Sequence, residues 1–170
     1  DSVPLLIGIQ RRYSTIIDYK FLEKMQELDK QLLALPLVKS VVSLTTTTHI
    51  EAAGDSIVSG KLVPEHLTGS PEELNTITER LRSLDTYNRS LVSDDLKATQ
   101  TIIFLNVKQE ESGSPETIAV CRKVMSIAEE WDFPDSVAYV TGAPVFSEIV
   151  NEATSHDLMF LVPIVVIVVA

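Results

Sequence analysis

At 170 residues the chain is long enough for one domain with its own hydrophobic core. Its 45% hydrophobic and 22% charged residues exclude intrinsic disorder, and a single cysteine, Cys121, excludes an intrachain disulfide framework. The formal net charge of −10 argues against a nucleic-acid partner and against attachment to anionic headgroups, which needs clusters of Lys and Arg.

The chain opens at Asp1 with neither an initiator Met nor a leader, so its start reads as internal to a longer protein. Val3 to Ile9 is a short apolar run suited to a buried strand. From Asp18 the period changes: Phe21, Leu22, Met25, Leu28, Leu32 and Leu35 recur at three- and four-residue steps among Glu, Lys and Gln. That spacing predicts an amphipathic helix capped by Asp18 and ended near Pro36. Val38 to Leu44 follows as a second strand. Residues Thr45 to Leu67 show no sustained period and read as a loop or irregular insertion. Ser70-Pro71-Glu72-Glu73 starts a helix running to about Leu84, with a serine cap, a first-turn proline and early acidic charge.

Ser90 to Ser93 and Ala98 to Val107 are β-prone segments around Asp94-Asp95-Leu96-Lys97, a pattern for a hairpin. Ser114-Pro115-Glu116 opens another helix, with Ile118, Cys121, Val124, Met125, Ala128 and Trp131 as its apolar stripe. Ser136 to Thr141 closes the series as a strand. Leaving out the insertion, the order is strand, helix, strand, strand, helix, strand, which is the split βαβ or ferredoxin-like arrangement of an α+β sandwich. Residues 1–143 form this domain, with 45–89 as its irregular and helical insertion.

Gly142-Ala143-Pro144 then begins a last helix over 144–170. Leu158 to Ala170 holds no polar or charged side chain, and a helix apolar on every face fits lipid better than the core of so small a domain. A span needs about 20 apolar residues, so this run is short, but it is unbroken where the chain stops. Pro163 fits a membrane helix, where neighbours re-satisfy the freed carbonyl. Unbroken from Pro144, the helix would rise roughly 40 Å, so its first half must stand outside the bilayer. On that half Phe146, Ile149, Val150 and Ala153 share one side. They are the candidates for substrate contact, through an apolar groove that would let a lipid tail leave the membrane without meeting water. Packing against the sheet or a neighbouring helix is the competing role.

Catalytic equipment is not legible. Ser155-His156-Asp157 has the letters of a triad, but adjacent helical residues diverge by about 100° and cannot form the required hydrogen-bonded chain. His49, His66 and His156 read as surface histidines without metal-site spacing, and Cys121 as a small core residue. Asp94 and Asp95 read as turn formers rather than metal ligands, and no glycine is placed for a phosphate loop. No catalytic residue, metal or cofactor is assigned.

Three segments carry a family resemblance: FLEKMQELDKQLLALPLVKSVVSLTT from Phe21 to Thr46, LVSDDLKAT from Leu91 to Thr99, and VTGAPVFSEIVNEATSHDL from Val140 to Leu158. Over nearly its whole length the chain resembles the resistance-nodulation-division (RND) superfamily of exporters, in the hydrophobe and lipid exporter branch of the membrane-protein-large (MMPL) transporters. The matching part is the large extracytoplasmic loop between the first and second membrane helices. Leu96 is a departure, since such exporters often carry glycine there, which leaves the hairpin type open.

The resemblance implies a porter domain of a proton-gradient-driven exporter, on the periplasmic or extracellular side of the cytoplasmic membrane. Its implied partners are the lipid bilayer, a hydrophobic or lipid substrate and a second porter domain of the same polypeptide, with homo-oligomerisation open and no nucleic acid. The family's proton-carrying residues lie in later membrane helices, so none is assigned here. The alternative is a membrane-anchored sensory or protein-binding domain without transport activity.

Overall fold

The computed structural model describes residues 2–53, 56–83 and 90–144. Strand β1 (Val3–Arg11) buries Val3, Leu5, Ile7 and Ile9, whereas the alternate positions Pro4 and Gln10 are exposed and Leu6 and Gly8 half-buried. Helix α1 (Tyr19–Leu33) begins as its sequence requires: the Asp18 carboxylate accepts from the Phe21 backbone N–H at 2.9 Å. Its buried face is Phe21, Leu22, Met25, Leu28 and Leu32, the predicted stripe, with Asp29 hidden among them. Burying each of these large side chains stabilises the domain by about 1.5–3 kcal/mol.

Strand β2 (Val38–Val42) follows, then a hairpin of β3 (Thr48–Ala53) and β4 (Ser56–Lys61), helix α2 (Pro71–Ser83) and strand β5 (Ala98–Leu105). Helix α3 (Pro115–Glu129) and strand β6 (Ser136–Thr141) complete the order. The sheet runs β2-β5-β1-β6 with every neighbouring pair antiparallel. This is the ferredoxin-like α+β arrangement expected from the sequence, in which α1 and α3 each return the chain to a strand two places away.

Three local expectations are revised. The stretch expected to be a loop contains the β3–β4 hairpin, which pairs from Thr48↔Lys61 to Ala53↔Ser56. In β3 the polar His49 is buried while Thr48 and Ile50 on either side are exposed, so His49 is not the surface histidine its chemistry implied. Ser90 to Ser93 does not form a full strand; it contributes a single bridge, Val92↔Thr99, beside the start of β5.

The turn after that bridge shows how Leu96 is held where the resemblance leads one to expect glycine. Asp95 accepts from Ser93 Oγ at 2.6 Å and from the Lys97 N–H at 3.1 Å, which fixes the turn through its side chain. Leu96 lies in the left-handed region at φ 54°, donates to Ser93 O and accepts from the Ile16 N–H at 2.7 Å. Its side chain is buried in the core. A left-handed leucine costs about 1–2 kcal/mol, and truncating a buried leucine about 2–5 kcal/mol, so packing outweighs strain.

Asp29 anchors the insertion. Its Oδ2 accepts from the hydroxyls of Ser43 and Thr45, which hold the chain as it leaves β2, while Oδ1 is buried without a hydrogen-bond partner among the described residues. Burial raises the Asp29 pKa, against the opposing pull of the Ser43 and Thr45 hydroxyls. The folded chain therefore keeps this proton at pH values where the unfolded chain has lost it. The resulting stability is complete below the ordinary carboxylate value of 3.8 and is lost as pH rises through the elevated folded value.

Two substitutions test these contributions. Leu96→Gly lowers stability by a net of about 1–3 kcal/mol in urea denaturation, because the buried side chain outweighs the relieved strain. For Asp29→Asn, stability relative to the native chain rises as pH is raised through the folded Asp29 pKa and then levels off, as measured by denaturation across a pH series.

Candidate functional site

The sheet has two unlike faces. The buried residues of β1, with Ile103 and Leu105 of β5, lie in one core with α1 and with Val120, Cys121 and Val124 of α3. Strand alternation sends Pro4, Leu6, Gly8 and Gln10 to the opposite face. The register sets Pro4 beside Phe104 and Leu6 beside Ile102, and Val42 of β2 also pairs with Ile102. Apart from exposed Pro4 these apolar residues are half-buried, so the band they form on the side away from α1 and α3 is only partly covered.

Further along β1, Gly8 lies between Gln100 on β5 and Tyr139 on β6, and Gln10 lies between Ala98 and Val137. A cavity of about 390 Å³ stands over this part of the sheet, walled by Leu91, Ser93, Gln100 and Tyr139. No charged side chain among the described residues lines it. The Gln100 carboxamide nitrogen donates to Ser90 O, and the Ser93 hydroxyl is used within the Asp95 turn.

The far end of β6 decides how the chain leaves the domain. Gly142 has φ 144°, a conformation that L side chains rarely adopt, and a Cβ there would stand 3.0 Å from Pro4 O and from a methyl carbon of Leu5. Ala143 and Pro144 already have helical backbone, and Pro144 is buried. The conformation of Gly142 thus turns the strand directly into Ala143 and Pro144, against the first residues of β1.

The substrate-contact candidates Phe146, Ile149, Val150 and Ala153 lie outside the described residues, as do Ser155-His156-Asp157 and the apolar run from Leu158. No helix among the described residues is long and apolar enough to cross a membrane. Cys121 is buried on the inner face of α3, in the place its apolar stripe predicts. Sequence reasoning missed Gly8 and Tyr139; the available signal was a glycine inside an otherwise apolar strand, which marks a bulge or a close approach.

The fold and its open sheet face define a porter-type α+β domain. Among known protein families, residues 19–170 match the MMPL family, and the chain belongs to it. Members of that family are transporters rather than enzymes, so the domain is part of an RND-type exporter. No curated protein matches the chain.

At the strand exit, Gly142→Ala lowers stability by about 1–3 kcal/mol, since the new methyl group meets backbone and the left-handed angle becomes strained. Thermal unfolding of the two chains measures it.

Proposed function

We propose that the chain is the porter domain of a proton-gradient-driven exporter of hydrophobic or amphiphilic molecules such as lipids. It stands on the periplasmic or extracellular side of the cytoplasmic membrane. The observation that carries this reading is the family match, which extends from the start of α1 through the strand exit to the apolar C-terminal run. In this reading residues 1–143 are the porter domain, and 144–170 pass from an amphipathic helix into the bilayer.

The open sheet face gives the assembly a physical motive. Leu6, Ile102, Phe104 and Val42 form an apolar band, and covering it removes hydrocarbon from water at about 25 cal/mol per Å². A second porter domain of the same polypeptide is the partner we assign to that band. Phe146, Ile149, Val150 and Ala153 are assigned to contact the substrate as it leaves the bilayer, because they follow the Gly142 exit directly and share one side of the proposed helix. Movement of the domain against its partner carries the substrate outward, with the proton-bearing residues in other membrane helices of the full-length protein.

Transport by the full-length protein in lipid vesicles tests this, with a fluorescent lipid analogue as cargo and with or without an imposed pH gradient. Export accelerates when the gradient is applied, and movement that ignores the gradient overturns the coupling. Ile149→Asp slows export by about tenfold or more while leaving protein levels unchanged, because a carboxylate must then be desolvated along the tail's path.

A further inference from the structure

Gly8 has no structural reason to be glycine. It lies in the middle of β1, its backbone is outside the left-handed region occupied by Gly69 and Gly142, and a Cβ built on it has none of the described residues within 4 Å. Glycine inside a strand weakens it and forfeits a packing side chain, and where conformation does not demand it, it commonly marks close approach by a ligand or another backbone. An aromatic residue opposite a strand glycine can fold over it and compensate. Tyr139 is directly opposite and does not: the residue is 64% exposed and none of its atoms comes within 4 Å of a Cβ built on the glycine. The result is a bare backbone floor with an aromatic wall on one side and the Gln100 carboxamide on the other.

The lining sets the chemistry of an occupant. The described lining residues include no charged side chain, so none of them would replace the hydration that an ion loses on entering. Gln10 offers an exposed carboxamide, Tyr139 a hydroxyl, and Gln100, whose nitrogen is committed to Ser90 O, offers its oxygen. A flat surface fits the glycine floor and the tyrosine ring, and a polar edge fits the amides. We infer that the cavity over Gly8 binds an uncharged molecule with a flat, largely apolar face and hydroxyl or carbonyl groups at its edge. The site goes beyond the proposed transport function, because the residues it is read from all belong to this domain and its test needs neither a proton gradient nor a second domain.

Coumarin, an uncharged planar lactone, and coumarin-3-carboxylate, its anionic counterpart, are the probes. The 170-residue chain is held in lipid nanodiscs and its amide signals are followed by ¹H–¹⁵N NMR, a local readout that partition into lipid does not imitate. Coumarin shifts the amides of Gly8, Gln100 and Tyr139 in a saturable manner, and the carboxylate binds at least about tenfold more weakly. Gly8→Leu fills the floor and weakens coumarin binding at least about tenfold, while the amides of β5 keep their dispersion. If leucine at this position prevents folding, Tyr139→Ala, at an exposed position, serves instead and weakens binding at least about threefold. Absence of saturable shifts at these amides overturns the inference. So does unchanged binding in the folded variant, and equal binding of the two probes overturns the uncharged class. Gradient-driven export in vesicles is scored separately, so either result stands without the other.

Discussion

The placement of β1 between β5 and β6 is the constraint on which the rest of the domain depends. Both edges of the strand are paired antiparallel, so its backbone groups are satisfied and its side chains must divide between two faces. A slip of one residue would exchange those faces. Gln10 would then be driven beneath the helices and Gly8 would leave a void there, while Val3, Leu5, Ile7 and Ile9 were turned out to water. That exchange fixes the register more firmly than hydrogen bonding does, because an antiparallel ladder re-forms after a slip but the hydrophobic burial does not. The same register sets Gly8 between Gln100 and Tyr139 and Leu6 opposite Thr141. The cavity and the strand exit are therefore consequences of one pairing.

At the end of β1 the two βαβ halves are joined by a cluster around Arg11. Its guanidinium lies 5.5 Å from the centroid of Phe21 and 5.1 Å from that of Phe133, and its Nη1 donates to Thr15 O at 2.7 Å. The carboxylates of Asp18 and Asp135 are 3.9 and 4.0 Å away, too far for strong ion pairs. The ring contacts and the backbone bond hold the arginine, and the aspartates have other tasks. Asp18 caps α1, while Asp135 accepts from the N–H groups of Tyr13 and Ser14 at 3.0–3.1 Å. Desolvation pulls the Asp135 pKa up, but those N–H groups and Arg11 pull it down further, leaving it below the ordinary carboxylate value. In sign its contribution opposes that of Asp29: it is present above the ordinary value and is lost as pH falls through the depressed one.

The parts of this fold legible in the sequence are those where apolar period and terminal chemistry agree. The stripe and cap of α1 coincide, and Ser114 caps α3 by accepting from the Thr117 N–H, as its Ser-Pro-Glu opening predicts. The stripe of α3 is partly displaced: Thr117 and Val120 are buried while Ile118 is only half-buried. Thr117 is hidden because its hydroxyl donates to Glu111 O, a local bond that an apolar count does not register. The β3–β4 hairpin escaped for a related reason, since its inward residue His49 is polar and its outward neighbour Ile50 is apolar. The cavity was illegible because it is made by a missing side chain, whose consequence appears only once Tyr139 and Gln100 are placed around it.

Both chain termini of the domain lie at one end of the sheet, because Thr141 pairs with Leu6 and the Gly142 exit presses on Pro4 and Leu5. The open face changes character away from that end. Pro4, Leu6, Ile102 and Phe104 near the termini are hydrocarbon, whereas Gln10 and Gln100 further along are amides. Covering the first group is favourable in proportion to area, but covering the second requires replacement hydrogen bonds for every amide removed from water. A neighbouring domain gains most by seating on the apolar end and stopping short of the amides. Such a docking would leave the Gly8 cavity at the margin of the contact, where Tyr139 stands already exposed. A molecule bound there would then touch the domain and its neighbour together, so that its affinity would depend on how the two are placed.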